Sequence, residues 1–270
     1  MKKIFSICMT LAVLGCAARS DSGSQAEMSV LAEQERIAAE TLVHRLDTAL
    51  ESLPAELGSR IRTDYGRFLI ELEQVLAEDP DVLLILVDKQ HELGRDFVPH
   101  DLVPVTTGRS YIPNRADLSL RRIAEESLEA MAASARAAGI TLVVSSTYRS
   151  WDYQKTVYER NVRQLGQTEA DRESARPGTS QHQLGTAVDF GSITDAFAAT
   201  AAGRWLSDNA WQWGWSLSYP DGYEPFTGYR WESWHYRYIG IKAARLERDW
   251  FNGIQQFMLE FIHAWRVAGQ

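Results

Sequence analysis

Cysteine is almost missing from this chain: there are two, Cys8 and Cys16, in 270 residues. Both precede residue 17, so no disulfide framework can staple the body of the protein, and no thiol is available there as nucleophile or metal ligand. Any metal must be held by histidine and carboxylates. Positive charge is also short. Lys and Arg number 28 against 36 Asp and Glu, a net charge of −8, which argues against a general nucleic-acid binder because such proteins neutralise phosphates with a basic face. Internal repeats are missing, and helices and strands do not follow one another with regular βαβ spacing. That leaves α+β as the expected class. Aromatic residues, by contrast, are plentiful: nine Trp and ten Tyr suit a pocketed enzyme and equally an aromatic-rich core. The length suffices for one sizeable core with a small accessory segment.

The start of the chain reads as an export signal. "MKK" is basic, "IFSICMTLAVLG" is a short apolar run, and Cys16 follows. The run is too short to stay in a bilayer as a permanent helix. V-L-G-C is similar to a bacterial lipobox, in which cleavage before the cysteine is followed by its lipidation; a plain secretory cut just beyond is the alternative. The expected organisation is therefore a signal over 1–15, a flexible tether over 16–27, a helical segment over 28–78 and the main domain over 79–270. The protein would be exported to the periplasm or cell surface and held to a membrane by lipid on Cys16.

Leu42, Leu46, Ala49, Leu50 and Leu53, then Ile61, Phe68, Leu72, Val75 and Leu76, recur at helical spacing. Pro54 and Gly58 are expected to break this stretch into two helices. Beyond it, helices are expected over 119–140 and in "WDYQKTVYERNVRQLG", "FAATAAGRWLSDNAWQWG" and "RDWFNGIQQFMLEFIHAWR". Strands are expected in "TLVVSSTYRS", "TAVDFG", "WSLSYP" and "WESWHYRYIG".

Six histidines are present. His44 and His263 lie on helical stretches with no partner at ligand spacing. His91 opens "HELGR", where the helical HExxH zinc motif fails because Arg95 stands in for the second histidine. His100 sits in a loop beside Asp101. His182 and His235 remain. His182 precedes Asp189 by seven positions, with Gly185 able to turn the chain between them. His235 follows Glu232 by three. Either pair alone could be an ordinary turn or an edge strand; together and in this order they carry more.

The run Ser180-x-His182-x-x-Gly185-x-Ala187-x-Asp189, followed by Glu232-x-Trp234-His235, resembles the signature of the VanY-type zinc D-alanyl-D-alanine carboxypeptidases, which cut peptidoglycan stem peptides. "LLILVDKQHELGRDFVPHDLVPV", "SSTYRSWDYQ", "WGWSLSYP" and "TGYRWESWHYRYIG" extend the likeness to roughly residues 81–262, although Trp213 and Trp215 are bulkier than is usual there. The resemblance implies a hedgehog and D,D-peptidase-like fold: a small antiparallel sheet holding the zinc site, flanked by helices, with an N-terminal helical extension. It implies one Zn²⁺ on His182, Asp189 and His235, Glu232 as general base, and Arg149 stabilising the oxyanion or fixing the substrate's terminal carboxylate. Gln154, Ser180 and Tyr148 would contact the peptide. The substrate would be a peptidoglycan stem losing its C-terminal D-alanine, with L,D-trimming of tetrapeptide stems or an endopeptidase as alternatives. A non-catalytic wall-binding relative would have lost Glu232 or a ligand, and neither is lost. A structural zinc protein would need a fourth protein ligand, and no further histidine or cysteine lies near the motif.

Overall fold

Three helices lead. α1 (Ser22–Leu50) is followed by α2 (Ala55–Thr63) and α3 (Tyr65–Ala77). The computed structural model describes residues 22–79 and 83–269, so the signal expected over 1–15 and the lipidation site Cys16 lie outside the described residues. Of the tether expected over 16–27, the part from Ser22 to Glu27 is helical instead. Pro54 does separate helices, standing at the N-cap of α2, but Gly58 lies inside that helix and the next break comes at Asp64.

The chain divides into two units at His44–Arg45. In the first, α1 is exposed from Glu27 to His44. The second, residues 45–270, takes in the last turn of α1, α2 and α3, so the domain border expected at 78/79 is not where the structure divides. The reason is packing. Leu46, Leu50, Ile61, Phe68, Leu72 and Val75 are buried against the C-terminal helices, with the Phe68 ring edge-on to Trp250, Phe251 and Phe261.

Next come β1 (Leu102–Pro104), β2 (Ile112–Pro113), β3 (Ser119–Arg121), α4 (Arg122–Ala137), β4 (Val143–Ser146), α5 (Trp151–Leu165) and α6 (Gln167–Glu173). β5 (Ala187–Phe190), α7 (Ala201–Asn209), β6 (Trp215–Leu217), α8 (Glu224–Thr227), β7 (His235–Tyr238), α9 (Ile241–Trp250) and α10 (Gln255–Val267) complete the order. One sheet runs β2-β4-β5-β7-β6, and β1 and β3 form a separate antiparallel pair. The larger sheet is antiparallel as expected, except that the short β2, for which no strand was expected, joins β4 in parallel. The single closing helix expected over 248–266 is two helices. Asn252 at φ 56° and Gly253 at φ 70° turn the chain between them. The helix expected over 197–214 is regular only over α7, with single 3₁₀ turns on either side.

Side chains alternate across a strand. Val188 and Phe190 of β5, with Tyr236 and Tyr238 of β7, face a core shared with α4, where Leu128, Met131 and Ala135 are fully buried. Asp189 and His235 therefore face the other way. Both strands are buried throughout, so the site stands on the central and most constrained part of the sheet.

Candidate active site

β5 and β7 pair in a register that sets Asp189 directly opposite His235. Cross-strand neighbours share one face with Cβ atoms about 5 Å apart, so two residues distant in sequence become adjacent. His182 comes from the single 3₁₀ turn Gln181–Leu184 just ahead of β5. Ser180 caps that turn by accepting from the His182 N–H at 3.3 Å, and Gly185 closes it at φ 70°. At Gly185 a Cβ would lie 2.9 Å from Leu102 Cδ2, so the close approach as well as the backbone conformation requires glycine.

The three side chains converge. His182 Nε2 lies 3.2 Å from Asp189 Oδ2, and His235 Nδ1 lies 3.0 Å from Asp189 Oδ1. Yet His182 Nε2 and Asp189 Oδ1 are buried without a hydrogen-bond partner. Atoms this close that do not bond each other have their lone pairs aimed at a shared point. Ligand atoms of all three residues lie within 4.8 Å of one another, and among the described residues they form the one such cluster of His, Cys, Asp and Glu. Two imidazoles and a carboxylate are the donor types zinc takes, with a fourth position left for water or substrate.

The surroundings fix the imidazoles for that task. His182 Nδ1–H donates to the Thr147 carbonyl at 2.6 Å, which leaves Nε2 bare. Thr147 follows β4, whose register against β5 shifts between Val144 and Ser146. Burial, helped by the nearby Arg149 charge, pushes His182 down to about 4, so it is neutral at ordinary pH, as a ligand must be. Burial alone would raise Asp189, but the two imidazoles facing it hold the carboxyl well below the usual range. On the far side, His235 Nε2 lies 3.4 Å from Gln181 Oε1, which also accepts from Ser218 Oγ at 2.7 Å.

Glu232 joins the site through a tight turn. The His235 N–H donates to the Glu232 carbonyl at 3.1 Å, which folds the glutamate back over the ligand and puts Oε2 3.5 Å from His235 Nδ1. Burial and the neighbouring Asp189 charge raise its carboxyl well above the ordinary value. An ionised Glu232 therefore calls for positive charge in the same pocket, which is what the converging donors are built to hold.

A cleft of about 270 Å³ opens onto these residues. Arg149, Gln154 and Ser180 are among the residues that line it. Arg149 Nε is buried without a partner, and so is Gln154 Oε1, whose amide Nε2 donates to the Ala175 carbonyl at 2.6 Å. Tyr148 is not among the lining residues. It lies in a smaller neighbouring cavity beside Ser150 and Tyr153, one that Arg149 also lines. The sequence reading missed Tyr219 and Tyr229, which also line the cleft; the Tyr219 ring sits 4.9 Å from both His235 and Tyr229. No spacing signal marked either. His91 is accounted for elsewhere: its Nδ1 pairs with Asp88 at 2.8 Å and its ring meets His263.

The VanY D-alanyl-D-alanine carboxypeptidase family profile matches residues 117–241. The solved LdcB LD-carboxypeptidase is 33% identical, with a TM-score of 0.59, over 67% of this chain and 86% of its own. VanYB, solved with D-alanine-D-alanine, is 30% identical with a TM-score of 0.52 over 63% of this chain and 93% of its own. The chain belongs to the VanY family. A further VanY family structure, a D,D-pentapeptidase from a VanB-type resistance cassette solved with Zn(II), is likewise 30% identical, with a TM-score of 0.52 over 63% of this chain and 94% of that one. Among curated relatives, YodJ of Bacillus subtilis is 36% identical over 64% of this chain, and a D-alanyl-D-alanine carboxypeptidase of Enterococcus faecalis is 32% identical over 60%. The chain spans 65% and 60% of their respective lengths.

Proposed function

We propose that this VanY-family chain is a zinc-dependent carboxypeptidase that removes a C-terminal D-alanine from peptidoglycan stem peptides. The observation that carries this reading is the cross-strand pair Asp189–His235 with His182 beside it, its buried lone pairs unmatched and Glu232 folded over it. His182, Asp189 and His235 would hold the ion, which when bound makes water acidic near neutral pH and polarises a carbonyl. Glu232 takes a proton from the attacking water and later delivers it to the departing D-alanine amine. Arg149, which lines the cleft and has a buried Nε without a hydrogen-bond partner, meets either the developing oxyanion or the substrate's terminal carboxylate. Gln154 Oε1 offers an unused acceptor to the peptide, and Ser180 lines the same wall.

L,D-trimming of tetrapeptide stems is the second reading, favoured by the likeness to LdcB. Both are tested by incubating the protein with defined tripeptide, tetrapeptide and pentapeptide stems and following D-alanine release by mass spectrometry. The pentapeptide alone should lose D-alanine, and a chelator should stop it. Loss from the tetrapeptide instead makes the enzyme an L,D-carboxypeptidase, and no loss from any stem removes the assignment.

The same proposal includes export and a lipid anchor at Cys16, supported by the basic start, the short apolar run and the V-L-G-C sequence. Such placement puts the enzyme where its substrate is. Metabolic labelling with palmitate should mark the chain and fail on Cys16→Ser; an unlabelled wild-type chain ends that part of the reading.

A further inference from the structure

A second cavity, about 660 Å³ in volume, lies at the outer edge of the sheet, between the end of α7, β6 and α9. It shares no lining residue with the catalytic cleft. Three observations bear on what it holds.

β6 is an edge strand of the sheet and, among the described residues, pairs with β7 alone. The Ser218 N–H donates to the His235 carbonyl at 3.2 Å, and the Ile239 N–H to the Gly214 carbonyl at 2.8 Å. Bonded pairs in an antiparallel ladder fall at every second residue. The N–H and C=O groups of Trp215 and Leu217 therefore point away from β7, on the edge that lines the cavity. The second observation is Glu247 of α9, only 4% exposed. One carboxyl oxygen accepts from Ser216 Oγ at 2.9 Å, while Oε2 has no hydrogen-bond partner among the described residues. Burial pushes this carboxyl up to about 8, against the opposing pull of the Ser216 hydroxyl and the Arg248 charge. Third, Asp208 and Arg248 line the same cavity, and the Arg248 guanidinium lies on the Trp211 ring at 4.0 Å.

We propose that this cavity is a second binding site, taking an extended peptide segment that pairs with the free edge of β6 and sets an ammonium-bearing side chain against Glu247. An extended chain matches the edge because its own outward groups recur every two residues, the spacing of Trp215 and Leu217. A tripeptide unit therefore serves both. The ammonium supplies the donor that Oε2 lacks, and Asp208 adds a second carboxylate while Arg248 stays on its tryptophan. The volume accommodates such a segment with its side chains. The site does not depend on the catalytic assignment.

The probe is a capped acetyl-Ala-Lys-Ala-amide, which has no free carboxyl terminus for a carboxypeptidase to act on. Titrated into the isotope-labelled chain, it should give saturable shifts of the Trp215 and Leu217 backbone amides. Replacing lysine by norleucine, or Glu247→Gln in the protein, should weaken binding at least tenfold. Glu232→Gln should leave it unchanged. The proposal is overturned by no saturable binding, by equal affinity of the norleucine peptide, or by shifts confined to residues around His182 and His235. It is also overturned if Trp215 and Leu217 are protected without peptide in step with self-association, which would make the occupant a second copy of the chain. The lysine–norleucine comparison uses the unaltered chain, so the test stands even if Glu247→Gln does not fold.

Discussion

At the scale of single residues, Glu232 and the three converging side chains differ in what they do with their isolation. His182 Nε2 and Asp189 Oδ1 lack partners because their lone pairs share a target. Glu232 stands back, near His235 but outside the cluster of three. A residue that shuttles a proton must be close to the ion without spending its lone pairs on it. Glu232→Gln keeps the size and loses the base. It should keep the metal content of the wild type while kcat falls about 10²–10⁴-fold, the range general-base work supplies. Metal analysis beside steady-state kinetics checks this; near-normal turnover would take Glu232 out of the mechanism, and lost metal would make it a ligand.

At the scale of elements, the site depends on two devices, a strand register and a glycine turn. The turn is the more exposed to test. Gly185 holds φ 70°, and an added Cβ would press on Leu102 Cδ2 and, at 3.1 Å, on Arg121 Cγ. Left-handed backbone costs a side-chain-bearing residue about 1–2 kcal/mol. Gly185→Ala should therefore lower the unfolding free energy by about that amount, read from denaturant midpoints, and should weaken metal retention because the same turn aims His182. Loss of stability with unchanged metal affinity would separate the turn from the site. The glycine, the ligand types and Glu232 were all legible in the sequence because they lie within short motifs. The partnership of Asp189 with His235 was legible only through the family resemblance; the residues alone left it open, since the β5–β7 register is what makes them neighbours. Tyr219 and Tyr229 escaped for the same reason: each reaches the cleft by tertiary placement, and neither sits at a ligand spacing. The split between α9 and α10 did carry a signal, the Asn252–Gly253 dipeptide, a turn marker. It was overridden by the continuous apolar run around it, which belongs to two helices packed into one core. The N-terminal helices were found by their periodicity, but periodicity says which face is buried and not against what. Only the packing of Phe68 on α9 and α10 shows that they complete this core.

At the scale of the whole unit, Arg45–Gln270, stability carries a buried charge problem of its own. Glu247 sits between sheet and α9 with one oxygen bonded to Ser216 and the other unmatched. Burial lifts its carboxyl from an ordinary 4.5 to about 8. A glutamate with a folded value above its unfolded value favours folding fully only below the unfolded value. Between about 4.5 and 8 the unfolded chain gives up this proton and the folded chain keeps it, so the contribution fades as pH rises, and above 8 it is gone. Glu247→Gln cannot ionise and keeps the bond to Ser216 within reach. With zinc present in both proteins, to hold the catalytic carboxylates and imidazoles in one state, the variant should match the wild type near pH 4.5. It should gain on it steadily up to about pH 8 and hold a constant advantage beyond. Thermal unfolding across that range reads the difference directly. A difference that does not change with pH would mean that Glu247 is already paired in solution, and the opposite slope would mean that it folds in ionised.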